Sequence, residues 1–180
     1  MGDKTNRNFY IMGDIENDNI QLIIESIIDI NNEDKDIKLG EHREPIKIYI
    51  NSPGGLSYPA LSLYEIIMTS ITPVHTIALG QVMSAALIIF AAGKERYCTR
   101  SSEFMHHHSY TDWGGTKYDL ANMSDSLKCM DSRVNEILAI RTGKFKKTWE
   151  QMTSNNLDYR FNHQEAIMLN LATGFLESII

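Results

Sequence analysis

The chain has 180 residues, which at roughly 150 residues per domain accommodates one domain with a full core. Seventeen Lys and Arg against 23 Asp and Glu leave a net charge of −6, without the basic field that a phosphate backbone demands, so nucleic-acid binding is not expected. Hydrophobic content of 43% with 22% charged residues is that of a globular chain, and the longest wholly apolar run, Ala85 to Ala92, is far too short to span a bilayer.

Met1 to Arg7 is polar and lacks the apolar segment of a secretory signal, so a cytoplasmic location is expected. Phe9 to Met12 reads as a first strand ended by Gly13. Ile20, Ile23, Ile24, Ile27 and Ile28 share one helical face, with Asn17 or Asp18 as N-cap and an end near Asn31. Asn31 to Glu44 is charged, contains Gly40 and reads as an exposed connection. Ile46, Ile48 and Ile50 alternate with polar neighbours as a strand that stops at Asn51 to Gly55; a helix fits Tyr58 to Ile71, and a strand fits Val74 to Leu79. Strands alternating with helices argue for an α/β fold built on parallel crossovers.

Gly80 to Ser84 then leads into a short apolar helix, Ala85 to Ala92, and further strands are expected around Tyr97 and over Glu103 to His106. After the turn Trp113 to Gly115, Lys117 to Arg141 forms the longest helical pattern. Its Leu120, Met123, Leu127, Met130, Val134 and Ile137 recur at spacings of 3, 4, 3, 4 and 3, a heptad seam. Such a seam packs either on its own core or, in a projecting helix, on another subunit. Short helices fit Phe145 to Thr153 and His163 to Asn170, and a terminal strand fits Phe175 to Ile179. Cys98 and Cys129 have no paired spacing and read as reduced thiols.

Three places could carry chemistry. Ser84 precedes a helix, where its hydroxyl meets the positive end of the helix dipole and unpaired backbone N–H groups; it serves there either as a plain N-cap or beside a stabilised oxyanion. Its surroundings do not match G-x-S-x-G. In His106-His107-His108, alternation along a strand sends His106 and His108 to one face and His107 to the other. That suits either a metal held by His106 and His108 with a carboxylate or, more economically, a general base at His107. At Ser52 to Gly55, glycines at a strand end let the backbone approach a ligand and present N–H groups to it.

Taken together, Ile48 to Gly55, Gly80 to Ala85, Ser102 to His107, and Asp158 with Glu165-Ala166 stand in the order and near-spacing of the proteolytic subunit of Clp protease, ClpP. The chain resembles that family over roughly residues 9 to 179. The intervals from Gly55 to Ser84 and from His107 to Thr142 match it without gaps, whereas a short insertion precedes Asp158. His108-Ser109 replaces the Gln-Pro frequent after the family's histidine, the connection at Asn31 to Glu44 is longer than the family's, and Asn170 to Thr173 replaces its Gly-Leu-Val-Asp pattern.

The resemblance implies a ClpP/crotonase-like ββα-spiral occupying residues 1–180 as one domain, with a projecting handle over about 108–141. It implies Ser84 as nucleophile, His107 as base, Asp158 as the triad acid, and the N–H groups of Gly55 and Ala85 as oxyanion hole. No metal or organic cofactor is implied. The implied assembly is two stacked rings of seven subunits, fed with unfolded protein or peptide by an AAA+ unfoldase, and changing Val134 and Ile137 to Asp is expected to break it. The alternatives are a non-catalytic ring subunit, a capsid-maturation or signal-peptide-type serine peptidase, and a crotonase-type acyl-CoA enzyme.

Overall fold

The computed structural model describes residues 6–38, 41–112, 114–155 and 157–177. In chain order the elements are β1 Asn8–Met12, α1 Asn17–Asp34, β2 Ile46–Ser52, α2 Ser57–Thr69, β3 Val74–Met83, α3 Ala85–Ala92, β4 Glu95–Cys98, β5 Glu103–His106, α4 Lys117–Thr142, α5 Lys146–Met152, β6 Tyr159–Asn162, α6 His163–Met168 and β7 Gly174–Phe175. Trp113, Gly40 and the end of the expected terminal strand lie outside the described residues; β7 itself keeps two residues.

The strands form one sheet in the order β1-β2-β3-β4-β7, all parallel, with β5 branching from β3 and β6 pairing antiparallel with β5. The branch is what creates the site. The first half of β3 pairs with β4 over His75 to Ala78, and its last residues, Gln81 to Met83, pair with β5 instead. Where β4 and β5 diverge, Thr99 N–H and the Ser102 hydroxyl both donate to the Ala78 carbonyl, at 3.1 and 2.9 Å. On the other side, the Asn51 side chain accepts from Gln81 N–H at 3.1 Å, in space that a Cβ on Gly80 would occupy. β3 therefore runs four residues past the expected Leu79.

The core lies under α1, α2 and α3, with Ile20, Ile23, Ile27 and Ile30 of α1 buried and Ile28 exposed. All eight residues of α3 are buried, which is possible because it has no polar side chain to hydrate. Its C-terminal carbonyls are capped by arginine: Arg141, on the last turn of α4, donates to Ala91 O at 2.7 Å and Gly93 O at 2.9 Å, and Arg96 donates to Gly93 O at 3.0 Å. Cations at that end also complement the helix dipole.

The heptad seam of α4 changes character along its length. Leu120 is exposed, Met123, Leu127, Met130 and Val134 are half-buried, and Ile137 is buried against the subunit's own core. Of the seam, only the N-terminal half is thus left to meet another subunit, and aspartate at Ile137 would damage the subunit itself. Thr116 caps the helix start through Asp119 N–H, and Gly143, at φ 68°, ends it.

Two further expectations change. The N-cap of α1 is Glu16, whose N–H donates to the Asn19 side chain, and the helix runs on to Asp34. Asp34, inside the run expected to be solvated, is 3% exposed. It pairs with both terminal nitrogens of Arg7 at 2.7 and 2.8 Å and accepts from the Thr72 hydroxyl at 2.6 Å. The Arg7 hydrogen bonds hold its carboxyl below the ordinary aspartate value. This pair joins the chain ahead of β1 to the end of α1 and to the turn before β3. Replacing Asp34 by Ala should lower unfolding free energy by about 2 kcal/mol in urea titrations at neutral pH, the scale of charge-assisted hydrogen bonds lost from a part-buried pair. Because the folded carboxyl is depressed, that difference should shrink as pH falls through the carboxylate range.

Candidate active site

Ser84 occupies the single residue between β3 and α3, with φ 54° and ψ −125°, outside the regions a serine normally occupies. The conformation is held from both sides. Its N–H donates to Met105 O of β5 at 2.9 Å, and its carbonyl accepts from Leu87 N–H at 3.0 Å. A sharp strand-to-helix turn of this kind pushes the side chain outward. The Ser84 hydroxyl meets Nε2 of His107 at 2.6 Å.

His107 follows the last residue of β5, and the alternation read from the strand persists past its end. His107 turns to Ser84, whereas His106 and His108 turn to α4. His106 is buried, bonded through Nε2 to Asn135 Oδ1 at 2.8 Å and set edge-on to Trp149. The three rings do not converge, and no metal-like group of three or more His, Cys, Asp or Glu occurs among the described residues. Burial lowers the pKa of His107, outweighing the opposing pull of Asp158, so the imidazole is neutral and able to accept a proton near pH 7.

Asp158 is brought to the same ring, but not to hydrogen-bond distance. Its Oδ1 lies 3.9 Å from His107 Nδ1, and its side chain is 53% exposed. Gly54 and Gly55 come in from the end of β2 with φ of 109° and 140°. A Cβ on Gly54 would stand 2.7 Å from Ser84 Cβ and 2.8 Å from Met83 O; one on Gly55 would stand 2.5 Å from Ile15 O. This backbone therefore lies against the start of α3, where the Ala85 N–H, at the first helical position, has no acceptor within its helix. Ser84, His107, Asp158, Gly55 and Ala85 all line one cleft of about 880 Å³.

The family model for Clp protease matches residues 4–180. The chain belongs to the Clp protease family. A curated relative, the ATP-dependent Clp protease proteolytic subunit of Paracoccus denitrificans, is 33% identical over 138 residues, which is 76% of this chain and 68% of that protein. Among solved structures, a ClpP1 point mutant from Listeria monocytogenes matches with a TM-score of 0.82 at 19% identity, covering 96% of this chain and 92% of the other. That likeness establishes the ClpP fold, α/β with its long helix.

Sequence reasoning missed the Clp family member's β6, which carries the chain from Asp158 back alongside β5. It also passed over Asp131 and Asn135, which hold the residues flanking His107. The signal available for these was two polar residues one helical turn apart, bordering the apolar seam. Replacing Gly54 by Ala should cost about 2 kcal/mol or more of stability, since it combines a positive φ with contact against Ser84; thermal unfolding with calorimetry measures this.

Proposed function

We propose that the chain is the serine-type peptidase subunit of a barrel-shaped compartmental protease, hydrolysing unfolded proteins and peptides through Ser84, His107 and Asp158. The observation that carries this reading is the 2.6 Å contact between the Ser84 hydroxyl and a neutral, partly buried His107 at a strained strand-to-helix turn. His107 Nε2 takes the proton as Ser84 Oγ attacks the peptide carbonyl. The N–H groups of Gly55 and Ala85 receive the oxyanion, each worth about 3 kcal/mol at the transition state. His107 returns the proton to the leaving amine, and water then hydrolyses the acyl-enzyme by the same route. Asp158, an exposed side chain 3.9 Å from Nδ1, stabilises the imidazolium by its charge.

Replacing Ser84 by Ala should reduce hydrolysis of a short fluorogenic peptide on the order of 10⁴-fold or more. In the parent, kcat/KM should fall with acidification at a lower pH than an ordinary histidine would give, because burial depresses the His107 pKa and protonation removes the base. Activity surviving in the Ser84 variant ends the serine reading.

The family's stacked double ring, an AAA+ unfoldase as feeding partner and a cytoplasmic setting complete the proposal. The uncovered apolar seam on the N-terminal half of α4 supports the ring contact: Leu120 is 49% exposed and Leu127 only half-buried. Aspartate at both Leu120 and Leu127 should leave the subunit folded and split the double ring, seen as a smaller sedimentation coefficient. An unchanged coefficient would place the contact elsewhere.

A further inference from the structure

His107 stands one residue beyond β5, where the ladder with β6 has ended at His106. Its side chain is nevertheless held in hydrogen-bond register with Ser84. The two residues that follow it explain how. Asp131 of α4 accepts twice from them: Oδ1 from Ser109 N–H at 2.7 Å, and Oδ2 from His108 Nδ1 at 2.7 Å. His108 Nε2 in turn lies 2.9 Å from the Thr153 carbonyl, just past the end of α5. Both ring nitrogens thus face oxygen atoms, one on α4 and one at the end of α5. The carboxylate accepting a backbone N–H and a ring N–H in parallel fixes orientation as well as position.

We propose that Asp131 and His108 are positioning residues for His107: a clamp from α4 and the end of α5 that sets the backbone direction from which the imidazole reaches Ser84. The clamp rests on the serine-peptidase reading above. Neither residue touches Ser84, and their work is geometric. Thr153 is the C-cap of α5, so the clamp bonds the residue after His107 to two helices, α4 and α5. Misplacing a reacting group by about 1 Å can cost about 10²-fold in rate, which is the scale on which a lost clamp acts.

The test compares Asp131→Ala, Asp131→Asn and His108→Ala with the parent, as assembled full-length protein, using a short fluorogenic peptide and the rate of fluorophosphonate labelling of Ser84. Asp131→Ala should lower kcat about 10- to 100-fold with KM within about twofold, and labelling should slow in parallel. Asp131→Asn, which keeps an acceptor for Ser109 N–H, should recover most of the loss. His108→Ala leaves the Asp131 to Ser109 bond in place and should give a smaller, about 10-fold, fall in kcat. It decides the matter should Asp131→Ala fail to fold. A purely structural pair would lower the melting temperature while leaving kcat at 25 °C unchanged; kcat within twofold of the parent in every folded variant overturns the proposal. Ser84→Ala separates the two readings: if it retains activity, the serine mechanism fails, and if it is inactive while the clamp variants are not, only the clamp fails.

Discussion

The structure turns on one residue in which a strand becomes a helix. The unusual backbone of Ser84 costs on the order of 1–3 kcal/mol, and it persists only because the surroundings leave no alternative. β3 must extend past β4 so that β5 can pair with its end and offer the Met105 carbonyl to Ser84 N–H. α3 must be buried on every side so that it cannot slide. The turn after β2 must be glycine so that its backbone can lie against Ser84. Each of these is a packing requirement met in a different part of the chain, and together they convert local strain into a fixed direction for one hydroxyl.

How much of this was legible in the sequence follows from how far each signal extends. α3 and β5 were readable to the residue, because an unbroken apolar octet and a bounded strand are local patterns. The N-terminal part of β3 was equally plain. Its last four residues were not, because Gly80 and Gln81 break the alternation and only the side chain of Asn51, 30 residues earlier, makes that break a continuation. β6 is four residues long and gains its pairing from β5, far away in sequence, so nothing local marked it. Asp34 looked solvated for the same reason, since the arginine that permits its burial lies 27 residues back.

The candidate site was legible by residue type and order rather than by geometry. The period of a strand separated His107 from its neighbours correctly, and the structure adds where those neighbours go. Ser84 and His107 meet closely, whereas Asp158 stands off. That difference has a local cause: Ser84 N–H is held by β5 and the residues beside His107 are held by α4, whereas the Asp158 side chain, just ahead of β6, is exposed. Burial similarly divides the titratable groups. It keeps His107 neutral and pushes the Cys98 thiol up to about 11, so one group is prepared to exchange protons and the other is inert.

Arg141, which caps the end of α3, sits on the same helix as Asp131 and Asn135, which hold the residues around His107. One rigid rod therefore touches both the helix that presents the hydroxyl and the segment that presents the imidazole. The error in a distance between two points grows with the number of flexible joints that separate them. Over the ten residues from Asp131 to Arg141, α4 spans about 15 Å with no joint at all. It serves as the gauge block of the site: the spacing of Ser84 and His107 is referred to a single hydrogen-bonded backbone rather than to the summed tolerances of the loops in between.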